Sequence, residues 1–570
     1  MFRFAYRFVL LAGLIVGSAA ALAAAPPGET AQPTANTWWE EMGVGSASGG
    51  GVSNDVYSSY NPSLAVGPDG APVVAWENWG GEGGRWEIHI RRWNGSTWAE
   101  MGTGSASGGG ISDTSGDSLN ASLAIGPDDT PVVVWEDNSS GTRQIYVRRW
   151  NGSAWVEMGT GSASGGGISN SSVQAETPSL AIGPNNLPVV AWVDHRSGKS
   201  EIYVRRWNGA AWAEEGDGSA SSGGISNTSW ASHEPSIAVG PDNAPIVAWE
   251  NFFPGFGRGE IYVRRWTGSV WSEMGGSASG GGISNTMNDW SSNPSIAIGL
   301  HGLPVVAWSE WDAQSFSRIY ALRWNGLAWT EMNGSASSQG IGSNSTSSPS
   351  ASMSPDGKPV VAWIDDSSDD GEIYVRRWSG SAWVEVGLGS ASDGGISDNS
   401  RGSWSPSLAV GPDGNPVVAW VDSSDNDGEI YLRRYAPKLA YVPLAVVLSC
   451  WPGPNEIEPN GNGAQANGPL CPGRTYSGAP EDRFDVFFLD AAGGHITIEM
   501  ANHTGTGVQL QLHHEQITPN PMAIDYTAAD GYRIQVTNAP VGRYYIVIST
   551  AIPNGGATRY TLTPAFTMRD

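Results

Sequence analysis

Carboxylates and tryptophans dominate the residues of this chain that could do chemistry: 56 Asp and Glu and 28 Trp, against 8 His and 2 Cys. The histidines show no H-x-x-x-H or other zinc spacing. No G-x-S-x-G elbow or Ser/His/Asp arrangement stands out. A recurring Gly-Ser-Ala-Ser-Gly-Gly-Gly-Ile-Ser-Asn phrase, as from Gly161 to Asn170, has no phosphate-loop Lys and no following helix, which argues against a nucleotide site. Its one apolar residue, Ile168, is expected to plug into the scaffold. Two acidic runs, Asp365, Asp366, Asp369 and Asp370, then Asp422, Asp425 and Asp427, do not match an EF-hand and read as solvated loops or a calcium site. Carboxylates brought together in space could cleave a glycosidic bond. Indole rings free of structural duty could stack on sugars, but finding them requires the repeat to which most belong.

A Pro-Val-Val-Ala-Trp-like run ends at Trp76, Trp135, Trp192, Trp249, Trp308, Trp363 and Trp420, with spacings of 55 to 59 residues. That period suits a four-stranded blade with long loops. In the first unit strand A is Pro62 to Val66, followed by the turn Gly67-Pro68-Asp69-Gly70. Strand B is Val73 to Trp76, a short apolar run of the kind buried on both faces. Strand C is Glu87 to Trp93, Asn94-Gly95 is expected to form a hairpin turn, and strand D is Trp98 to Met101. The seventh unit stops after strand C at Tyr435, while an orphan strand D, Trp38 to Gly43, precedes the first strand A. The two halves complete each other only in a closed ring, which also removes exposed sheet edges. The fold class is therefore all-β, a seven-bladed β-propeller closed by its N-terminal strand.

Twenty tryptophans recur by position: at the end of strand B, the end of strand C (Tyr435 in the seventh unit) and the start of strand D. Their default role is packing between blades. Among the others, Trp79, Trp86 and Trp311 fall between strands B and C, and Trp230, Trp290 and Trp404 between D and the next A. Antiparallel connectivity puts both loop types on one face, joined by Phe252, Phe253, Phe256 and Phe316. These six tryptophans are the candidate ligand-binding residues, with a glycan as the leading ligand. The competing expectation is that they pack their own loops.

The repeat, roughly Asn36 to Ala436, resembles secreted bacterial propellers of the sialidase-like class. That resemblance implies the architecture and not the activity. The Asp-box S-x-D-x-G-x-T-W is replaced by Trp93-Asn94-Gly95-Ser96-Thr97-Trp98, one residue shorter and without the Asp. The arginines occur as Arg-Arg pairs before the strand C Trp in repeated copies, which suits blade packing and not a single catalytic triad.

After Ala436 the style changes. Period-two alternation over Phe484 to Leu489, Ile496 to Met500, Val508 to Leu512, Arg533 to Val536, Tyr544 to Ile548 and Tyr560 to Thr563 predicts a jelly-roll-like β-sandwich. The module resembles the bacterial pre-peptidase C-terminal domain in Glu456-Ile457-Glu458-Pro459-Asn460, Asp485-Val486-Phe487, Gly542 to Val547 and Tyr560-Thr561-Leu562. The resemblance implies weak calcium binding through Glu456, Glu458 and Asn460, helped by Asp482 or Asp485. Gly461, where some relatives carry Asp, leaves one ligand fewer.

Arg3 and Arg7, the apolar run from Phe8 to about Val16 and Ala21-Leu22-Ala23 read as a secretory signal peptide, so the protein is expected to be secreted. No apolar run is long enough to suggest a transmembrane anchor. In an oxidising compartment Cys450 and Cys471 are expected to form a disulfide, contributing roughly 3 kcal/mol. A net charge of −26 argues against nucleic acid as a partner. The expected organisation is a signal peptide at 1–23, a disordered segment at 24–35, the propeller at 36–436, a linker at 437–454 and the sandwich at 455–570. The preferred reading is a monomeric, non-catalytic extracellular binding protein for a glycan or other cell-surface polymer. The alternatives are a secreted glycoside hydrolase or lyase with its site in the propeller funnel, and a structural surface protein without a small ligand.

Overall fold

The structure is a computed structural model. It describes residues 38–437 apart from 81–83, 254–257, 287–288, 338, 343, 368–369, 400 and 424–426. Of the C-terminal part it describes 470, 476–478, 484–491, 494–501, 509–514, 523–525, 532–540, 542–549 and 560–566. The chain divides into two compact units, Met1–Pro437 and Lys438–Asp570.

The first unit is a β-propeller. Its described residues form seven four-stranded antiparallel sheets, six of them from consecutive strands A to D. Blade 1 comprises Ser59–Val66, Pro72–Trp79, Trp86–Trp93 and Trp98–Glu100. Strand B is the buried layer: Val73, Val74, Ala75 and Trp76 expose nothing, and the seven recurring tryptophans of this strand are all fully buried. β-Branched residues suit such a strand because both of its faces pack against neighbouring blades. Asn94-Gly95 does not make the expected two-residue turn. Strand pairing resumes at Trp93 opposite Trp98. The Asn94 carboxamide oxygen accepts from the backbone N–H of Ser96 and Thr97, and only Gly95 takes a positive φ. A side-chain acceptor thus replaces part of the backbone turn.

The seventh sheet is closed by Trp39–Glu41, which pairs with Glu429–Tyr435 through Trp39 opposite Tyr435 and Glu41 opposite Arg433. Trp39 is buried, and its Nε1 donates to the carbonyl of Val386 at 2.9 Å. Trp98, Trp155 and Trp212 make the same bond to Met42, Met101 and Met158 of the blade before. The closing joint therefore uses the same bond as these ordinary inter-blade joints.

Strand D is only three residues long because the glycine-rich phrase takes over the edge of strand C. Ile90 N donates to Ser105 O at 2.8 Å, and Ile111 N donates to Ile88 O at 2.7 Å. Ile111, the counterpart of Ile168, is buried, as is Ile168 itself. The first arginine of each Arg-Arg pair then reaches back to the plug residue seated on the preceding blade. Arg91, Arg148, Arg205, Arg264, Arg376 and Arg433 donate to the carbonyls of Val52, Ile111, Ile168, Ile225, Ile341 and Ile396, at 2.5 to 2.8 Å. Blade 5 carries Leu322 at this place, so the joint between blades 4 and 5 lacks the clamp.

Strand A lines the channel and is longer than the sequence suggests, because each copy contains a bulge. Register shifts interrupt its pairing, for example between Tyr60 and Ser63. The bulge residues Asn61, Asn120, Thr177, Glu234, Asn293, Ser348 and Ser405 all have φ near +50°. Bulges of this kind re-aim side chains and gather next to functional sites.

The second unit contains two four-stranded antiparallel sheets. One is Tyr476–Gly478, Tyr560–Ala565, Gly494–Ala501 and Tyr532–Ala539; the other is Phe484–Ala491, Gly542–Ser549, Gln509–His514 and Ala523–Asp525. Alternate residues such as Phe487, Leu489, Ile496, Ile498, Leu510, Ile546 and Leu562 form one buried cluster, as in a β-sandwich. Cys450, Cys471, Glu456, Glu458, Asn460 and Asp482 lie outside the described residues. Asp485 is placed in its strand opposite Ile548.

Candidate functional site

Strand A starts and strand B ends on one face of the propeller, since Ser59 pairs with Asn78 and Trp290 with Trp311. The six candidate tryptophans cluster at this face, but five sit on strands instead of in loops. Trp79 ends strand B and Trp86 opens strand C in blade 1, where they pair directly. Trp290 opens strand A and Trp311 ends strand B in blade 5. Trp404 lies inside strand A of blade 7, and Trp230 immediately precedes strand A of blade 4. The ends of strands A and B extend to meet these rings, which the short apolar runs in the sequence do not reveal.

Trp79, Trp230, Trp290 and Trp311 are 40%, 37%, 42% and 40% exposed. These values are high for indoles and leave a ring face available. Trp86 is half-buried between Tyr60 and Trp79, with ring centroids 5.6 and 5.2 Å away. Trp404 departs most from expectation: it packs on the buried clusters at both flanks of blade 7. Phe252 and Phe253 lean on Trp290 and Trp230, at 6.2 and 5.7 Å, while Phe316 is exposed and Phe256 lies outside the described residues.

Trp290 and Trp311 flank a cavity of about 580 Å³ at the unclamped joint of blades 4 and 5, lined also by Glu234, Glu250, Arg258, Asp289 and Asp312. The Trp290 Nε1 donates to Glu250 Oε1 at 2.9 Å. Asp312 closes a turn by accepting from Gln314 N and Phe316 N, and pairs with Arg318 at 3.0 Å. In blades 1, 2 and 5 the residue after the strand B Trp holds the neighbouring bulge. Glu77 accepts from Asn120 N at 2.6 Å, Glu136 from Thr177 N at 2.9 Å and Ser309 from Ser348 N at 3.1 Å. At the 4–5 joint the bulge residue Glu234 takes that duty, accepting from Asn293 N at 3.0 Å. Glu250 is thereby released to face the cavity.

Burial pushes the Glu250 carboxyl up to about 7; the nearby charge of Glu234 adds to the rise and the Trp290 hydrogen bond opposes it. Burial also raises Glu234, against its hydrogen bond from Asn293. Two carboxyls with raised pKa values side by side can accept hydrogen bonds from hydroxyl groups and, where protonated, donate to them. Sequence reasoning missed both glutamates. The signal was a Glu before the strand A proline, where other blades have Asn, Thr or Ser; Glu250 itself shares its residue type with Glu77 and Glu136 of blades 1 and 2 and does not stand out in the repeat.

The acidic runs contribute differently. Asp365 and Asp422 are buried in the scaffold; Asp365 accepts from Ser367 N, and Asp422 accepts from Trp420 Nε1 at 3.3 Å. Asp369 and Asp425 lie outside the described residues.

No family model matches this chain. No curated protein matches it either. Among solved structures it is similar to an ulvan lyase of a polysaccharide lyase family, at 12% identity and a TM-score of 0.42 over 66% of this chain and 93% of that one. It is also similar to the Trypanosoma rangeli sialidase, at 11% identity and 0.34 over 89% and 90%. A third similarity is to the pre-peptidase C-terminal domain of the Bacillus anthracis collagenase, at 25% identity and 0.15 over 16% and 89%. Likenesses this remote assign no activity to the chain, whose own strands make it a β-propeller followed by a β-sandwich.

Proposed function

We propose that this chain is an exported glycan-binding protein whose propeller holds sugar in the cleft between blades 4 and 5. The observation that carries the reading is the exposed cross-strand pair Trp290 and Trp311 beside Glu234 and Glu250 in one cavity. A pyranose presents a C–H face that packs on an indole and a rim of hydroxyls that carboxylates can bind. The cleft supplies both. A glycan array probed with the purified protein and with Trp311→Ala tests this. Binding that the variant loses while keeping its melting temperature supports the site; equal binding by both proteins refutes it.

A second reading is hydrolysis or elimination in the same cleft, favoured by two carboxyl groups of raised pKa lining one cavity. Here Glu250 would donate its proton to the leaving oxygen. Release of new chain ends from an array-positive polysaccharide, abolished by Glu250→Gln with binding retained, would establish it. Binding without product supports the non-catalytic reading.

A further inference from the structure

We infer that the ligand is a polysaccharide chain long enough to lie across the channel mouth, held by two aromatic platforms on opposite sides of the ring. This rests on the glycan-binding reading above and adds a second subsite. In a ring of seven, blade 1 stands across the channel from the joint of blades 4 and 5. Blade 1 carries the pair Trp79 and Trp86, cross-strand neighbours whose centroids lie 5.2 Å apart, with Trp79 40% exposed. The joint of blades 4 and 5 carries Trp290 and Trp311, also paired across strands. The seven recurring tryptophans of strand B are fully buried, so neither platform belongs to the scaffold pattern.

The surface between the platforms suits a sugar chain. The channel mouth is a shallow cavity of about 390 Å³ lined by the bulge residues and by the prolines that follow six of them. The bulge residues are amides and hydroxyls, apart from Glu234. This mouth shares Glu234 and Asn293 with the cleft of blades 4 and 5. On the far side Asn61 follows Tyr60, whose ring packs on Trp86 at 5.6 Å. The path therefore runs from rings, over amides, hydroxyls, prolines and the one carboxyl of Glu234, to rings. Linked contacts of this sort make affinity rise with chain length, because the second platform is engaged intramolecularly.

The test is calorimetry with size-fractionated oligomers of mannan, xylan and mixed-linkage β-glucan, from two sugar units to several tens. Wild type should bind the long fractions on the order of a hundredfold more tightly than the short ones. Trp79→Ala should remove that gain while leaving short-oligomer binding by blades 4 and 5 unchanged, and Trp79→Tyr should restore most of it. Trp311→Ala should weaken short and long fractions alike. Length-independent affinity, or a Trp79→Ala protein that keeps the full gain, overturns the two-platform arrangement and leaves the cleft intact. Failure of every oligomer to bind overturns the glycan reading and this inference with it.

Discussion

At the scale of single residues, Glu250 shows how one position in a repeat can change duty. Its counterparts Glu77 and Glu136 are occupied with a neighbour's bulge N–H; Glu250 has a tryptophan donor and a cavity instead. Replacing that donor by Trp290→Phe removes the interaction that lowers the Glu250 pKa, while burial and the Glu234 charge remain. Carbon-detected NMR titration of the glutamate carboxyls should then show Glu250 titrating above its wild-type value of about 7. A fall would contradict the assignment. Gly110 makes a scaffold prediction. Its φ is +62°, and an added Cβ would collide with the Ile88 carbonyl oxygen. Gly110→Ala should cost at least about 1–3 kcal/mol, measured by denaturant unfolding. The scaffold tryptophans were legible because they recur. Glu234 and Glu250 were not, because their meaning depends on which partner each carboxylate meets, and that partner belongs to another strand or blade.

At the scale of elements, the joint between blades sets both stability and the place of the site. Strand order, the orphan strand D and the plug isoleucines were all readable from period and spacing. Two features were not. The bulge in strand A hides in sequence, since Asn61-Pro62 or Thr177-Pro178 reads as the start of a strand and not as an inserted residue. The shortness of strand D follows from a glycine-serine phrase that competes for the edge of strand C, which no propensity announces. The arginine clamps can be tested singly. Arg148→Met keeps much of the stem but strips the charged donor from the Ile111 carbonyl. A loss of about 1.5–3 kcal/mol in chemical denaturation is expected, the range for a hydrogen bond to a charged group. No loss would mean that the clamp adds nothing to the joint beyond its packing and its other hydrogen bonds, such as the Trp155 bond to Met101.

At the scale of the whole molecule, ring closure and titration both bear on stability. Deleting residues 38–41 removes the strand paired with Glu429–Tyr435 and the buried Trp39 ring, whose burial alone contributes about 1.5–3 kcal/mol. The deleted protein should melt lower and aggregate through the exposed strand edge; an unchanged melting curve would contradict the closed ring. Burial raises Glu87, Glu250, Glu310 and Glu372 to about 7 from an ordinary value of 4.5. Their folded-state preference for the proton is fully favourable below pH 4.5 and is lost as pH rises through about 7. Desolvation would also raise the turn aspartates Asp69, Asp128, Asp356 and Asp413, but their hydrogen-bond and arginine partners outweigh it and hold them below 3.8. That contribution is lost on further acidification. Thermal melts should therefore peak at mildly acidic pH and decline toward neutrality; a steady rise in melting temperature from pH 4.5 to 7.5 would contradict this balance. The central claim is where sugar binds, and hydrogen–deuterium exchange with and without an array-positive polysaccharide tests it most directly. Protection should centre on 250–253, 289–293 and 311–316, with a second zone at 77–80 and 86–88. Protection confined to the turns of the opposite face, such as 67–71 and 94–97, or to the C-terminal sandwich would contradict it.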